Sequence, residues 1–247
     1  MSDSPSYRTA VFGATSAIAG ETLRALLADR PAEILLIGRN ADRLETVAAD
    51  LRARGAVCEV HATDLLNPDA GWESLLAGKE WDLFLIAHGS LPDQDATLAD
   101  PHATGREIDI NLISPVRIAA ACARILDKQQ KGTLAVFGSV AGDRGRQSNY
   151  LYGATKAALE TFLAGLRHRF ADLPAVAITL LKPGLTDTPM TANIEKGPLF
   201  SSASKVGEAA WKAIHKRKST AYLPGWWRLV MGVIRHLPEF VLHKTKL

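Results

Sequence analysis

The chain is poor in cysteine, has no long apolar run, and lacks acidic residues at two informative places. Only Cys58 and Cys122 occur in 247 residues. They lie far apart, without histidines at metal-ligating spacing, so neither a disulfide framework nor a metal site is expected and a reducing compartment is the default. The N-terminus MSDSPSYRTAVFGA has no basic segment followed by an apolar core, so no signal peptide is expected. No stretch approaches the roughly 20 apolar residues that span a bilayer, and a cytoplasmic location follows as the expectation. Acids are almost missing from residues 212–247, which hold eight Lys and Arg against one Glu, a net of +7. The whole chain carries +3, so the first 211 residues carry +3 less +7, or −4. This asymmetry makes the tail a candidate contact for anionic surfaces such as the inner membrane face. Nucleic acid is not an expected partner.

What is present reads as one α/β domain. Hydrophobic residues at 47% and charged residues at 22% suit a globular chain with a sizeable core. Apolar β-branched runs alternate with helical patterns: Arg8–Phe12, Glu33–Ile37, Val57–His61, Trp81–Ala87, Thr133–Phe137, Ala175–Leu181 and Thr220–Leu223 read as strands. The helical patterns between them are Glu21–Leu27, Ala41–Arg54, Pro68–Leu76, Gly105–Leu126, Asn149–Arg169 and Val206–Lys216. Strands that are apolar throughout and alternate with helices predict a doubly wound parallel sheet of Rossmann type, a single domain over 1–247. Residues 224–247 form an amphipathic basic tail with paired Trp226 and Trp227 and with Arg228 and Arg235 on one face. It suits a helix in a membrane interface, over a substrate pocket or against a second subunit.

Two segments carry the chemistry that spacing alone can show. Arg8–Phe12 hands over to Gly13-Ala14-Thr15-Ser16-Ala17-Ile18 and then to a helix. A strand, a glycine turn and a helix N-terminus cradle a dinucleotide pyrophosphate, with the hydroxyls of Thr15 and Ser16 available to it. The second strand ends in Gly38-Arg39-Asn40, with Arg43 one turn on, where an acid would receive the free ribose diol of NAD. No acid is there. Arg39 offers a planar fork to a 2′-phosphate with Arg43 in support, which predicts NADP(H) over NAD(H). Further along, Tyr152 and Lys156 share a helix face at i,i+4, and Ser139 follows an apolar strand. An ammonium beside a phenol favours the phenolate, so this trio suits proton exchange with a carbonyl or alcohol. Tyr150 has no lysine four residues after it.

Ser139 followed by Tyr152-x-x-x-Lys156 resembles the catalytic signature of the short-chain dehydrogenase/reductases, and the resemblance runs over nearly the whole chain. It implies Asn111 as a fourth catalytic member, in a helix made irregular near Pro115, connecting Lys156 to solvent. Asp64 with Leu65 would meet the adenine, and Ala87, His88 and Gly89 the cofactor ribose. Tyr152 and Lys156 would also touch the cofactor, and Pro183, Gly184, Thr186 and Thr188 would border the nicotinamide. The chain departs from the family pattern at Ala17 and Ala19, where glycines are usual, and at Ala87-His88-Gly89, where asparagine is common before Ala-Gly. Residues 190–215, centred on the aperiodic stretch Thr191–Ser204, are expected to form a substrate lid. Family resemblance further implies a homodimer or homotetramer. The glycine turn, the AHG segment, RGRQSNYLYGATKA and the tail are similar to bacterial reductases of the decaprenylphosphoryl 2-keto-pentose type, which implies a lipid-linked substrate. A simple ketone or alcohol fits the same residues. An NADP(H)-binding regulator or scaffold without turnover and an epimerase are the alternatives.

Overall fold

The computed structural model describes residues 6–242; the last five residues of the 224–247 tail therefore lie outside the described residues. Seven strands make one parallel sheet: β1 (Tyr7–Phe12), β2 (Ala32–Gly38), β3 (Val57–Ala62), β4 (Leu83–Ile86), β5 (Gly132–Phe137), β6 (Val176–Pro183) and, after a two-strand ribbon, β9 (Thr220–Leu223). Their order is β3-β2-β1-β4-β5-β6-β9. The winding reverses between β1 and β4, so a crevice opens there at the carboxyl ends of the strands.

Sequence periodicity explains the layers. In β1, Ala10 and Phe12 pack on one face and Val11 on the other, as the two-residue repeat of a strand requires. One layer comprises α1 (Ala17–Asp29), α2 (Ala41–Ala53) and α8 (Ala203–His215). The opposite layer comprises α3 (Trp72–Leu76), α6 (Ser114–Gln129) and α7 (Tyr150–Arg169). Central strands β4 and β6 are buried along their full length, whereas edge strand β3 leaves Val57 68% exposed.

Three expectations change in detail. The helix expected from Pro68 starts only at Trp72, because Asn67–Ala70 closes a turn and Gly71 is left-handed. The helix expected over Gly105–Leu126, interrupted at Ser114-Pro115, is three pieces, with the irregularity one turn earlier than expected: α5 (Pro101–Ile108), a π turn (Asp109–Ile113) and α6. It is preceded by the short α4 (Gln94–Leu98). The expected lid over 190–215 divides, since residues 203–215 are the packed helix α8, capped by the Ser202 hydroxyl accepting from Lys205 N. Only the preceding loop is free of the core; β7 (Thr186–Asp187) pairs with β8 (Ser201–Ser202) and pins its two ends together. The tail forms α9 (Trp227–His236) and α10 (Glu239–Leu242). Trp227, Met231 and Ile234 of α9 are buried with Val140, while Leu229 and Val233 face outward.

Candidate active site

The crevice between β1 and β4 is a cleft of about 330 Å³. It gathers Gly13, Thr15, Ser16, Ala17, Ile18, Arg39, Arg43, Asp64, Leu65, Ala87, His88, Gly89 and Thr188. The turn after β1 is held by Gly13 N and Ala14 N donating to Ile37 O, and Ser16 caps α1 by accepting from Ala19 N. Gly13 has φ +81°, and a Cβ there would stand 2.5 Å from His88 N, so only glycine lets the ends of β1 and β4 meet. Alanine at positions 17 and 19 is absorbed: Ala19 is fully buried against the sheet. No acid occupies the first turn of α1, leaving the positive end of its dipole free for an anion. Arg39 and Arg43 both line the cleft, and among the described residues neither guanidinium is ion-paired. A dinucleotide fits this donor set: a helix N-terminus for the pyrophosphate, and an unpaired arginine fork where the ribose would end.

Asn40 lies outside the cleft wall and works as a cap, its Oδ1 accepting from Arg43 N at 2.8 Å. Pro183, Gly184 and Thr186 are not among the residues that line the cleft. Pro183 ends buried β6, Thr186 Oγ1 donates to Gly184 O, and Thr188 and Thr191 cap each other as the chain turns toward the cleft. His88 contacts Ser114 Oγ through Nε2 at 2.9 Å, and Ser114 donates to Leu65 O at 2.8 Å. Burial first, then the nearby Lys156 charge, lower the His88 pKa to about 3, so it stays neutral. Phe12 O favours a proton on the ring, yet no hydrogen bond reaches Nδ1.

Ser139, Tyr152 and Lys156 converge on the next stretch of sheet edge. Ser139 lies two residues beyond β5 and caps a 3-10 turn (Val140–Asp143), its hydroxyl accepting from Ala141 N. That turn lies directly on α7 because two glycines allow it: a Cβ on Gly153 would stand 2.8 Å from Ala141 O, and one on Gly142 would stand 2.9 Å from Ala157 N. Lys156 Nζ is 5.5 Å from the Tyr152 ring centroid, and Lys156 is only 4% exposed. Burial lowers the Lys156 pKa from its usual 10.5 to about 8. The expected depression of the Tyr152 pKa does not occur in the protein by itself. Part of the side chain stays open, but burial raises the phenol above its usual value, and the hydrogen bond with Ser139 offsets only some of that. Both groups are thus pushed toward their neutral forms, because dense surroundings penalise either charge. Asn111 is fully buried in the π turn, where Ser114 N reaches back five residues to Asp109 O. Pro115, four residues on, has no N–H to give the Asn111 carbonyl.

Several supports were not visible as motifs. Gln94 of α4 holds the approach to Tyr152 from both sides: its Oε1 accepts from Leu151 N and its Nε2 donates to Gln147 O. This releases Asn149 from the capping role its position suggests. Lys182, 1% exposed, pairs with Asp143 of the Ser139 turn and with Glu160 of α7, and Asp143 also accepts from Tyr222 OH at 2.9 Å. Burial alone would lower Lys182, but its two carboxylate bonds outweigh it and the pKa is raised. Trp227 lies on Gly184 so closely that a Cβ there would fall 1.9 Å from the indole. Gly38, Leu66, Ile110, Pro189 and Met190 complete the cleft lining. No composition or spacing signal marks these pairings, which join segments far apart in the chain. Among the described residues no His, Cys, Asp and Glu cluster could hold a metal ion.

A family profile described as short chain dehydrogenase matches residues 8–198. An uncharacterized oxidoreductase of Mycobacterium tuberculosis is 32% identical over 246 residues, covering 98% of both chains. Among solved structures, a short-chain dehydrogenase from Sphingobium yanoikuyae in complex with NADPH superposes with a TM-score of 0.78 at 21% identity, over 97% of this chain and 96% of that one. A bulky-bulky ketone specific alcohol dehydrogenase from Comamonas testosteroni gives 0.79 at 19% identity, over 96% of each.

Proposed function

The chain belongs to the short-chain dehydrogenase family of oxidoreductases, and from that premise we propose that it reduces a carbonyl, or oxidises the matching secondary alcohol, with NADP(H). The observation that carries the reading is the convergence of Ser139, Tyr152 and nearly buried Lys156 beside a cleft lined by Arg39 and Arg43. Bound NADPH supplies a hydride to the carbonyl carbon. Ser139 and Tyr152 hold the carbonyl oxygen by hydrogen bonds. Tyr152, kept protonated by burial, gives that oxygen its proton. Lys156, with a pKa of about 8, can replace the proton near neutrality and orients the nicotinamide ribose. Asn111 serves the lysine from the π turn. Gly13, Thr15, Ser16, Ala17 and Ile18 receive the pyrophosphate, Asp64 and Leu65 the adenine, and Ala87, His88 and Gly89 the ribose. Pro183, Gly184, Thr186 and Thr188 border the nicotinamide side. Arg39, with Arg43, selects the 2′-phosphate; that neither guanidinium is ion-paired among the described residues supports this choice.

The loop between β7 and β8 is the lid, with Met190, Ile194 and Leu199 exposed on it for an apolar part of the substrate. Self-association through the helices around Asn111 and Tyr152 belongs to the same reading and would cover exposed Ile113 and Tyr150. A lipid-linked substrate is supported by Leu229, Val233 and Phe240, exposed beside the tail cations. No described helix is long and apolar enough to cross a membrane, so such contact would be peripheral. Sedimentation with and without anionic vesicles reads both properties. The central test is NADPH oxidation over a panel of ketones, with Tyr152→Phe beside the wild type. The variant should lose about 10²-fold or more in turnover and keep its NADPH affinity, because only the transferable proton is removed. More than about a tenth of wild-type turnover in the variant would remove Tyr152 from the acid role.

A further inference from the structure

Two arginines of one short loop are used in opposite ways. The loop, residues 144–149, joins the turn begun by Ser139 to the helix that carries Tyr152. Arg144 Nη1 donates to Ile234 O at 3.3 Å, Arg235 O at 2.9 Å and Leu237 O at 2.6 Å, at the carboxyl end of α9. On the other flank Gln94 of α4 donates to Gln147 O and accepts from Leu151 N. Within the loop Asn149 N donates to Arg146 O at 3.1 Å. The backbone is thus fixed at both flanks and across the middle, yet the Arg146 side chain takes no part in fixing it. Among the described residues no acceptor meets its guanidinium, and its Nε is closed off from water without a partner.

Asp143 is the acid whose charge reaches Arg146, but that carboxylate is already bonded by Lys182 and Tyr222. Burial acts on the guanidinium more strongly than the Asp143 charge does and draws its pKa below the usual value. Arginine does not answer by giving up its proton. A half-buried cation that stays charged and meets no acceptor burdens the fold, and an incoming anion offsets that burden. The Oδ1 of Asn149, three residues on, is likewise closed off from water and unpartnered. Such groups on a loop that is otherwise well bonded suit a wall turned to a polar ligand better than a strut of the fold. That ligand is not the dinucleotide, because neither Arg146 nor Asn149 lines the cleft that holds Arg39 and Arg43.

We propose that Arg146 determines substrate specificity by receiving an oxyanion, a carboxylate or a phosphate ester, that the carbonyl substrate carries apart from its reacting carbon. The inference rests on the carbonyl-reductase reading of the site and adds a chemical class of substrate to it. Ser139 and Tyr152, on either side of the loop in the chain, hold the carbonyl oxygen, while the loop between them meets another part of the same molecule. A planar fork of N–H groups suits either oxyanion through paired hydrogen bonds, which an ammonium does not match. Arg146 makes and breaks no covalent bond, so its effect falls on binding and orientation.

The test is a panel of ketones on one carbon skeleton, ending in a carboxylate, its methyl ester or a phosphate ester, with NADPH as reductant. The wild type should favour an anionic member over the ester by about tenfold or more in kcat/KM, and the order of the two anions tells carboxylate from phosphate. In Arg146→Gln that preference should fall roughly tenfold to a hundredfold, the loss of a charge-assisted bond, through the KM for the ketone and not that for NADPH. Arg146→Lys should regain part of it, since the charge returns without the fork. Denaturant unfolding separates recognition from support: Arg146→Met should be at least as stable as the wild type, because apolar atoms replace an unpaired cation. No anionic preference in the wild type, an unchanged preference in Arg146→Gln, or a lower unfolding midpoint in Arg146→Met each overturns the assignment. A readout without turnover is the thermal midpoint of the enzyme saturated with NADP+. Inorganic phosphate should raise it in the wild type and not in Arg146→Gln, and an equal response in both counts against Arg146. A wild type that reduces no member of the panel defeats the reductase reading, and the phosphate readout then decides on Arg146 separately.

Discussion

The two halves of the sheet handle cationic side chains in opposite ways. In the half built on β1 to β4, Arg39 and Arg43 stand at the cleft unpaired by any described residue. In the half built on β5, β6 and β9, Lys182 is sealed from solvent and bound by Asp143 and Glu160, with Tyr222 closing the group. An exposed unpaired guanidinium costs little while it waits for an anion. A buried ammonium is costly unless its partners are in place. The first arrangement therefore serves binding and the second serves geometry. Lys182 precedes the Pro183-Gly184 segment, Asp143 ends the turn that begins at Ser139, and Glu160 lies one helical turn beyond Lys156. One ion group thus ties three segments around the reacting centre.

The sharpest way to break this contrast is Lys182→Met. Removing one partner of a buried ion group strands Asp143, which is 1% exposed at its side chain, and should cost about 3–5 kcal/mol in denaturant unfolding. A loss under about 1 kcal/mol would mean the group is no frame. The next largest effect is expected from Arg39→Ala, on binding and not on stability. Losing a charge-assisted bond of about 1.5–3 kcal/mol should raise the KM for NADPH roughly tenfold to a hundredfold and leave that for NADH near its original value. Equal effects on both cofactors would dispose of the 2′-phosphate assignment, and a fall in stability matching that of Lys182→Met would erase the distinction between the halves. A pH-dependent effect is expected at Lys156, which sits between the two regimes, buried yet with no ion pair among the described residues. Its folded pKa of about 8 is below the usual 10.5, so the folded protein bears a penalty that is complete below pH 8 and disappears as pH climbs toward 10.5. Wild-type stability measured against Lys156→Met should therefore improve over that window, and a difference independent of pH would show that the lysine is not desolvated.

Legibility in the sequence follows the same division. The cleft half was readable because its signals are local: a strand, Gly13 and a helix start lie within a few residues, and Arg39 declares itself by standing where an acid would otherwise be. Tyr152 and Lys156 were readable for the same reason, since helical spacing puts them on one face. Ser90 with Glu107, Gln94 with Leu151, and Lys182 with Asp143 join residues 17, 57 and 39 positions apart, and none forms a pattern of spacing. The seat of Trp227 on Gly184 was hidden likewise: the sequence left the paired tryptophans open to a membrane interface, the substrate pocket or a second subunit, and only the fold places one of them inside. Burial also overturned the electrostatic expectation for Tyr152, because i,i+4 spacing says where two groups lie and nothing about how much water surrounds them.

The π turn at Asp109–Ile113 amounts to an α-helix carrying one extra residue. Each residue in a helix advances the side-chain direction by about 100°, so deleting any one of these five would let α5 and α6 merge into a regular rod and take away the turn from which Asn111 serves Lys156. The costliest accident for this turn is thus a change of length rather than of letter. Variants that shorten it should keep their helicity and lose their chemistry.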